Sequence, residues 1–143
     1  MHFTSPPQDP ADHAEDFARR YPFPLDQYCA IRMRELGIPD NQLGADDPFN
    51  RTPWRAFVPE GRTGGQITTG ITVNSGVLNP ELLKGKGSRI WADSHLKDRI
   101  DAVITHEWEE HVHGTHEAAL KRSPKSTLPI TVGARKILKA MAR

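Results

Sequence analysis

The sequence predicts one small α+β domain: a short antiparallel sheet packed against a long helix, with further helices towards both ends of the chain. Three observations predict it. The 143 residues are enough for one ordinary domain and not comfortably two. β-Branched residues concentrate between positions 54 and 74. Apolar residues recur at helical spacing near 25–36, 96–112 and 132–141.

Taken in order, residues 1–10 are polar and proline-rich, which predicts a disordered lead, with a single domain over 11–143. Residues 11–20 form a short helix candidate that Tyr21-Pro22-Phe23-Pro24 breaks. Leu25 to Leu36 has the pattern of an amphipathic helix, and Gly37 stops it. Trp54 to Val58 alternates between two prolines and predicts a strand. Gln66 to Asn74 predicts a second strand, with Gly70 as a bulge, and Glu60 to Gly65 is the loop between the two. Asn79 to Leu83 predicts a helical turn. A long helical segment opens at Ser88 or Asp93 and runs to about Val112, where Gly114 interrupts it. Glu117 to Arg122 adds a further turn or two before Pro124, and Val132 to Met141 forms the last helix.

Composition narrows the function classes. Cys29 is the single cysteine, so neither an internal disulfide nor a cysteine-based zinc site can be built. It lies in an apolar pattern that predicts burial. No window approaches a membrane span, and Met1 to Pro10 lacks the basic start and apolar stretch of a secretory signal. A cytoplasmic location is the default expectation, with signal-less export as the other route. The formal charge of +1 argues against a dedicated nucleic-acid binder. Charge is unevenly spread, however. Residues 93–117 carry seven acidic and two basic side chains, and residues 118–143 carry seven basic and none acidic. The basic stretch keeps a nucleic-acid partner open as the weaker alternative to a solvated helix face.

Four of the seven histidines fall between 106 and 116, inside the acidic block. On a helix, residues four apart lie about 40° apart, so His106 pairs with Glu110 and Glu107 with His111. His106 and His111, five apart, diverge. The apolar stripe of Ile100, Val103 and Ile104 continues onto Glu107 and His111, with His106 and Glu110 at its border. Ionisable groups thus extend a face that should be buried. An unpaired carboxylate there costs several kcal/mol, which a bound cation would offset. Zinc accepts imidazole nitrogen and carboxylate oxygen, and catalytic zinc sites typically use three protein ligands and an open position.

The segment His106-Glu107-Trp108-Glu109-Glu110, followed by His116, resembles the active-site helix of zincin metallopeptidases. Their motif is His-Glu-x-x-His, extended in metzincins to His-Glu-x-x-His-x-x-Gly-x-x-His. The match covers eleven residues, and the two strands upstream extend the likeness in layout to about 54–116. The chain departs from the motif at Glu110, which replaces the second histidine, at Gly114, one place late, and in lacking a typical Met-turn. The resemblance implies a minimal zincin-like domain that binds zinc or another divalent metal through His106, Glu110 and His116. Glu107 would be the general base of a small zinc metallopeptidase that uses zinc-activated water on a peptide or protein substrate. His111 and His113 would be alternative ligands or would support the ligands by hydrogen bonds. Small size and loop richness suit a bacterial effector or toxin domain.

Two other classes compete with a hydrolase. One is a non-enzymatic interaction module whose His/Glu helix is structural. The other is a metal-dependent nuclease that holds phosphate through the basic stretch containing Arg135, Lys136 and Lys139.

Overall fold

The computed structural model describes residues 25–39, 57–58, 62–67 and 70–142. The lead over 1–10, the helix candidate over 11–20 and the Trp54–Ala56 part of the first strand lie outside these residues.

Helix α1 (Leu25–Glu35) buries Cys29, Met33 and Leu36, one apolar face at helical spacing. It ends as the sequence predicts. The Ile38 N–H reaches the Met33 carbonyl and the Gly37 N–H the Arg34 carbonyl, each at 3.0 Å, the two bonds of a Schellman stop.

Strands β1 (Phe57–Val58), β2 (Gly64–Ile67) and β3 (Gly70–Asn74) form one sheet in the order β1-β3-β2. β2 and β3 pair antiparallel, from Gly64 opposite Val73 to Ile67 opposite Gly70. β1 lies parallel to β3, so the sheet is mixed and not wholly antiparallel as expected. The hairpin is also shifted. Gly64 and Gly65, expected in a loop, are strand residues, and the segment expected as one strand with a bulge at Gly70 holds parts of two. β-Propensity locates extended chain but does not fix where it reverses; pairing across the sheet does. In the central strand Ile71 and Val73 are fully buried on one face. On the other face the Thr72 hydroxyl donates to the Asn74 side chain at 2.8 Å.

A 3-10 turn (Ser75–Leu78) leads to two helices where one long segment was expected: α2 (Ser88–Ala92) and α3 (Leu96–His113). The chain breaks at 93–95, where the Arg99 guanidinium takes the Ser94 carbonyl at 2.7 Å. Helix α3 is the centre of the molecule and packs on β2, β3, α1 and both later helices. It buries Ile100, Val103, Ile104 and Glu107 of the stripe drawn from the sequence, while His111, where that stripe was expected to continue, is only half-buried. Helix α4 (His116–Arg122) turns back beside it. Helix α5 (Val132–Ala142) buries Ala134, Ile137 and Leu138 against α3. The Thr131 hydroxyl accepts from the Ala134 N–H at 3.1 Å and so caps the start of α5. This is an α+β architecture with a long helix laid across a small sheet. No helix among the described residues is long and apolar enough to cross a membrane.

Candidate metal centre

Local chain geometry assembles the site. Helix α3 puts His106 and Glu110 one turn apart on one side, with Nε2 and Oε1 4.0 Å apart. Gly114 then ends the helix in a left-handed conformation (φ 85°), which a residue with a Cβ rarely adopts. Thr115 caps the next helix, its hydroxyl accepting from the Ala118 N–H at 3.1 Å. This two-residue reversal returns His116 over the last turns of α3. His116 Nδ1 lies 3.2 Å from His106 Nε2 and 3.4 Å from Glu110 Oε1.

Two imidazole nitrogens and one carboxylate oxygen therefore form a triangle with sides of 3.2, 3.4 and 4.0 Å. Ligand atoms about 2.0–2.1 Å from a tetrahedral zinc are spaced about 3.3 Å apart, so the triangle has the size of three corners of such a shell. Exposure rises from His106 through Glu110 to His116, leaving one side open to solvent.

His106 has two unlike nitrogens. Nε2 faces the triangle, and Nδ1 is buried with no hydrogen-bond partner among the described residues. Burial, helped by the neighbouring His116, lowers its pKa, which favours the neutral ring that can ligate a metal. In that neutral ring, Nε2 can offer its lone pair to the triangle only if Nδ1 carries the proton. Zinc-binding histidines usually have an acceptor for that second nitrogen; among the described residues this one has none.

Glu107 projects from the next position into the wall between α3 and β2. It is 7% exposed, and burial raises its pKa, an effect that the hydrogen bond from Gln66 partly offsets. The Gln66 amide donates to the Glu107 carboxylate at 2.9 Å and to the Glu107 backbone carbonyl at 2.7 Å. Its Oε1 lies 3.3 Å from His111 Nδ1 and can only accept, so that ring nitrogen carries the proton. Gly64 makes the close approach of strand and helix possible. A Cβ there would lie 2.6 Å from Val103 Cγ1 and 2.7 Å from Glu107 Cγ.

The histidines that the sequence left open thus go to different places. His111 stacks on Trp108, with ring centroids 5.9 Å apart, and reaches Glu107 through Gln66. His113 Nε2 pairs with Glu109 Oε2 at 3.1 Å, outside the triangle. Sequence reasoning missed Gln66 and Gly64, because both act across 41 or so residues of chain and neither carries a local motif.

The triangle and Glu107 share the wall of a cavity of about 630 Å³ between β2, α2, α3, α4 and α5. It is the size of a small-molecule site and combines ionisable with apolar lining. A scan against protein-family models, a search of curated proteins and a search of solved structures each return no match to this chain.

Proposed function

We propose that the protein is a metal-dependent hydrolase of zincin type, acting on peptide bonds. His106, Glu110 and His116 would hold one divalent cation, with zinc the best fit, and Glu107 would be the general base. The observation that carries this reading is the convergence of three ligand atoms at zinc-shell spacing, with a buried carboxylate beside them in the same cavity.

The donor set supports it. Two imidazoles and one carboxylate with an open side match the composition of a catalytic zinc site. A bound cation would supply Lewis acidity towards a carbonyl and towards water. Glu107 would take the proton from the attacking water and later return it to the leaving amine. Burial suits it to that task, since a raised pKa brings a carboxylate nearer the operating pH. Gln66 would hold the carboxylate in place while leaving its other oxygen free.

One observation favours the non-enzymatic reading. At 3.2 Å, His106 Nε2 and His116 Nδ1 could share a proton as an ordinary hydrogen bond, with no metal required. The nuclease reading is weakened by Arg135, whose guanidinium donates to the carbonyls of Pro124, Ser126 and Leu128 and so braces the loop before α5.

Metal analysis of the full chain, purified without added metal, separates the readings. The expected result is about one zinc per chain in the wild type and in Glu107→Gln, and little in His106→Ala, Glu110→Ala or His116→Ala. Chelator should lower the melting temperature of the first two only. Glu107→Gln should lower peptide hydrolysis by about 10²–10⁴-fold with zinc retained. A wild type without stoichiometric zinc, whose melting the chelator leaves unchanged, would overturn the proposal.

A further inference from the structure

Among the described residues, Arg62 is the only lysine or arginine that lines the cavity. Its backbone is held in place. The Gly76 N–H donates to the Arg62 carbonyl and the Asn74 N–H to the Thr63 carbonyl, each at 2.9 Å. Gly76 permits this approach, since a Cβ there would collide with the Arg62 carbonyl oxygen. The chain entering β2 is thus tied to the end of β3 and to the 3-10 turn, and the Arg62 side chain starts from a set position.

The guanidinium is exposed and forms no hydrogen bond or ion pair among the described residues. On an open surface that would need no explanation. Here the group shares a concave wall with two carboxylates, and neither is its partner. Glu107 accepts from Gln66 at 2.9 Å, and Glu110 lies 3.4 Å from His116 and 4.0 Å from His106. Arg62 therefore brings to the cavity a fixed charge and a planar fork of donors that no described residue receives. The shape of that fork matches a carboxylate, with two parallel bonds to two oxygens. The reacting groups are near. Gly64 stands against Glu107, and Arg62 precedes Gly64 by two residues, no more than about 7 Å of chain. An extended peptide covers the same distance in about two residues.

We propose that Arg62 binds a carboxylate of the substrate, from a free peptide C-terminus or an acidic side chain, and so selects anionic peptides. The carboxylate would belong to a residue within about two positions of the bond attacked at the triangle. A single guanidinium balances the single charge of one carboxylate, whereas a nucleic-acid strand recruits a row of cations. The word substrate rests on the hydrolase reading; the anion site rests on Arg62 and the cavity alone.

The test uses the full chain, zinc-free and zinc-loaded, and two pairs of ligands that differ only in charge. N-acetylalanine against its amide probes a terminal carboxylate, and N-acetylglutamate amide against N-acetylglutamine amide probes a side-chain one. Binding is followed by NMR at the Arg62 Nε–H signal. At least one acid is expected to bind about tenfold more tightly than its uncharged partner in both forms and to move that signal. The pair that discriminates names the source of the carboxylate. Arg62→Gln should erase the difference and Arg62→Lys keep part of it, with zinc stoichiometry and melting temperature unchanged in both. The zinc-free arm is decisive, because a metal ion can bind a carboxylate by itself. Three results overturn the proposal: no preference for either acid in the zinc-free chain, a preference that survives Arg62→Gln, or tighter binding of dimethyl phosphate than of either acid. If the Arg62-dependent preference is present in a chain that takes up no zinc, the metal reading fails and the anion site stands. If zinc binds without that preference, the reverse holds.

Discussion

Helix α3 anchors two polar clusters five residues apart, one buried and one open to solvent on one side, and they are built in opposite ways. Around Asp101 every demand is met inside the protein. Its carboxylate takes two bonds of 2.7 Å from the Arg32 guanidinium and one of 3.1 Å from the Thr131 N–H, which ties α1, α3 and α5 together. Around His106 one demand is left open. Two imidazoles face one carboxylate, and His106 Nδ1 has no partner among the described residues. Burial separates them in part: Asp101 is 1% exposed, whereas the other cluster opens to solvent through His116, 66% exposed. Satisfaction separates them as well: a polar cluster completed by the chain holds the fold together, and an incomplete one beside a cavity is a candidate binding site.

The sharpest way to break the comparison is to remove Asp101. Asp101→Ala leaves Arg32 and the Thr131 N–H uncompensated and is expected to cost about 3 kcal/mol, near the lower bound for a buried pair because Arg32 still reaches water. Denaturant unfolding measures it. A loss below about 0.5 kcal/mol would mean that the Asp101 cluster carries no more than an exposed ion pair. Gly64→Ala comes next. Its methyl must displace Val103 or Glu107, at an expected cost of about 1–3 kcal/mol together with reduced turnover. Unchanged stability would show that β2 yields easily and does not fix Glu107.

Gln66→Ala should lower stability by only about 1 kcal/mol, since Gln66 is exposed apart from its amide. Zinc content should hold while kcat falls more than KM rises. A change in KM alone would assign Gln66 to substrate binding and not to positioning Glu107.

The smallest effect is alkaline. Burial first, and the nearby Asp101 charge second, push the Tyr28 hydroxyl up to about 12. A phenol whose folded pKa lies above its unfolded value near 10 stabilises the fold below pH 10. That contribution is lost as pH rises from 10 to 12, where the unfolded chain has already released the proton. Stability should therefore decline over that window in the wild type and more weakly in Tyr28→Phe. Parallel pH profiles for the two would remove Tyr28 from the account.

The sequence by itself determined what depends on neighbours along the chain. The spacing of Ile100, Val103 and Ile104 set the buried face of α3 and carried it onto Glu107. The four-residue interval brought His106 to Glu110, and Gly114 stopped the helix where His116 could return. These are properties of helical periodicity and of one left-handed residue, and both can be read locally. Only the tertiary structure decided the rest. Gln66 reaches Glu107 across 41 positions, and Arg32 reaches Asp101 across 69. The parallel seat of β1 and the shifted hairpin were likewise settled by pairing partners. Such contacts depend on how separate elements pack, and no side chain encodes its distant partner in its own neighbourhood. Spacing therefore identified candidate ligands, and packing supplied the cavity beside them and the residue that holds Glu107.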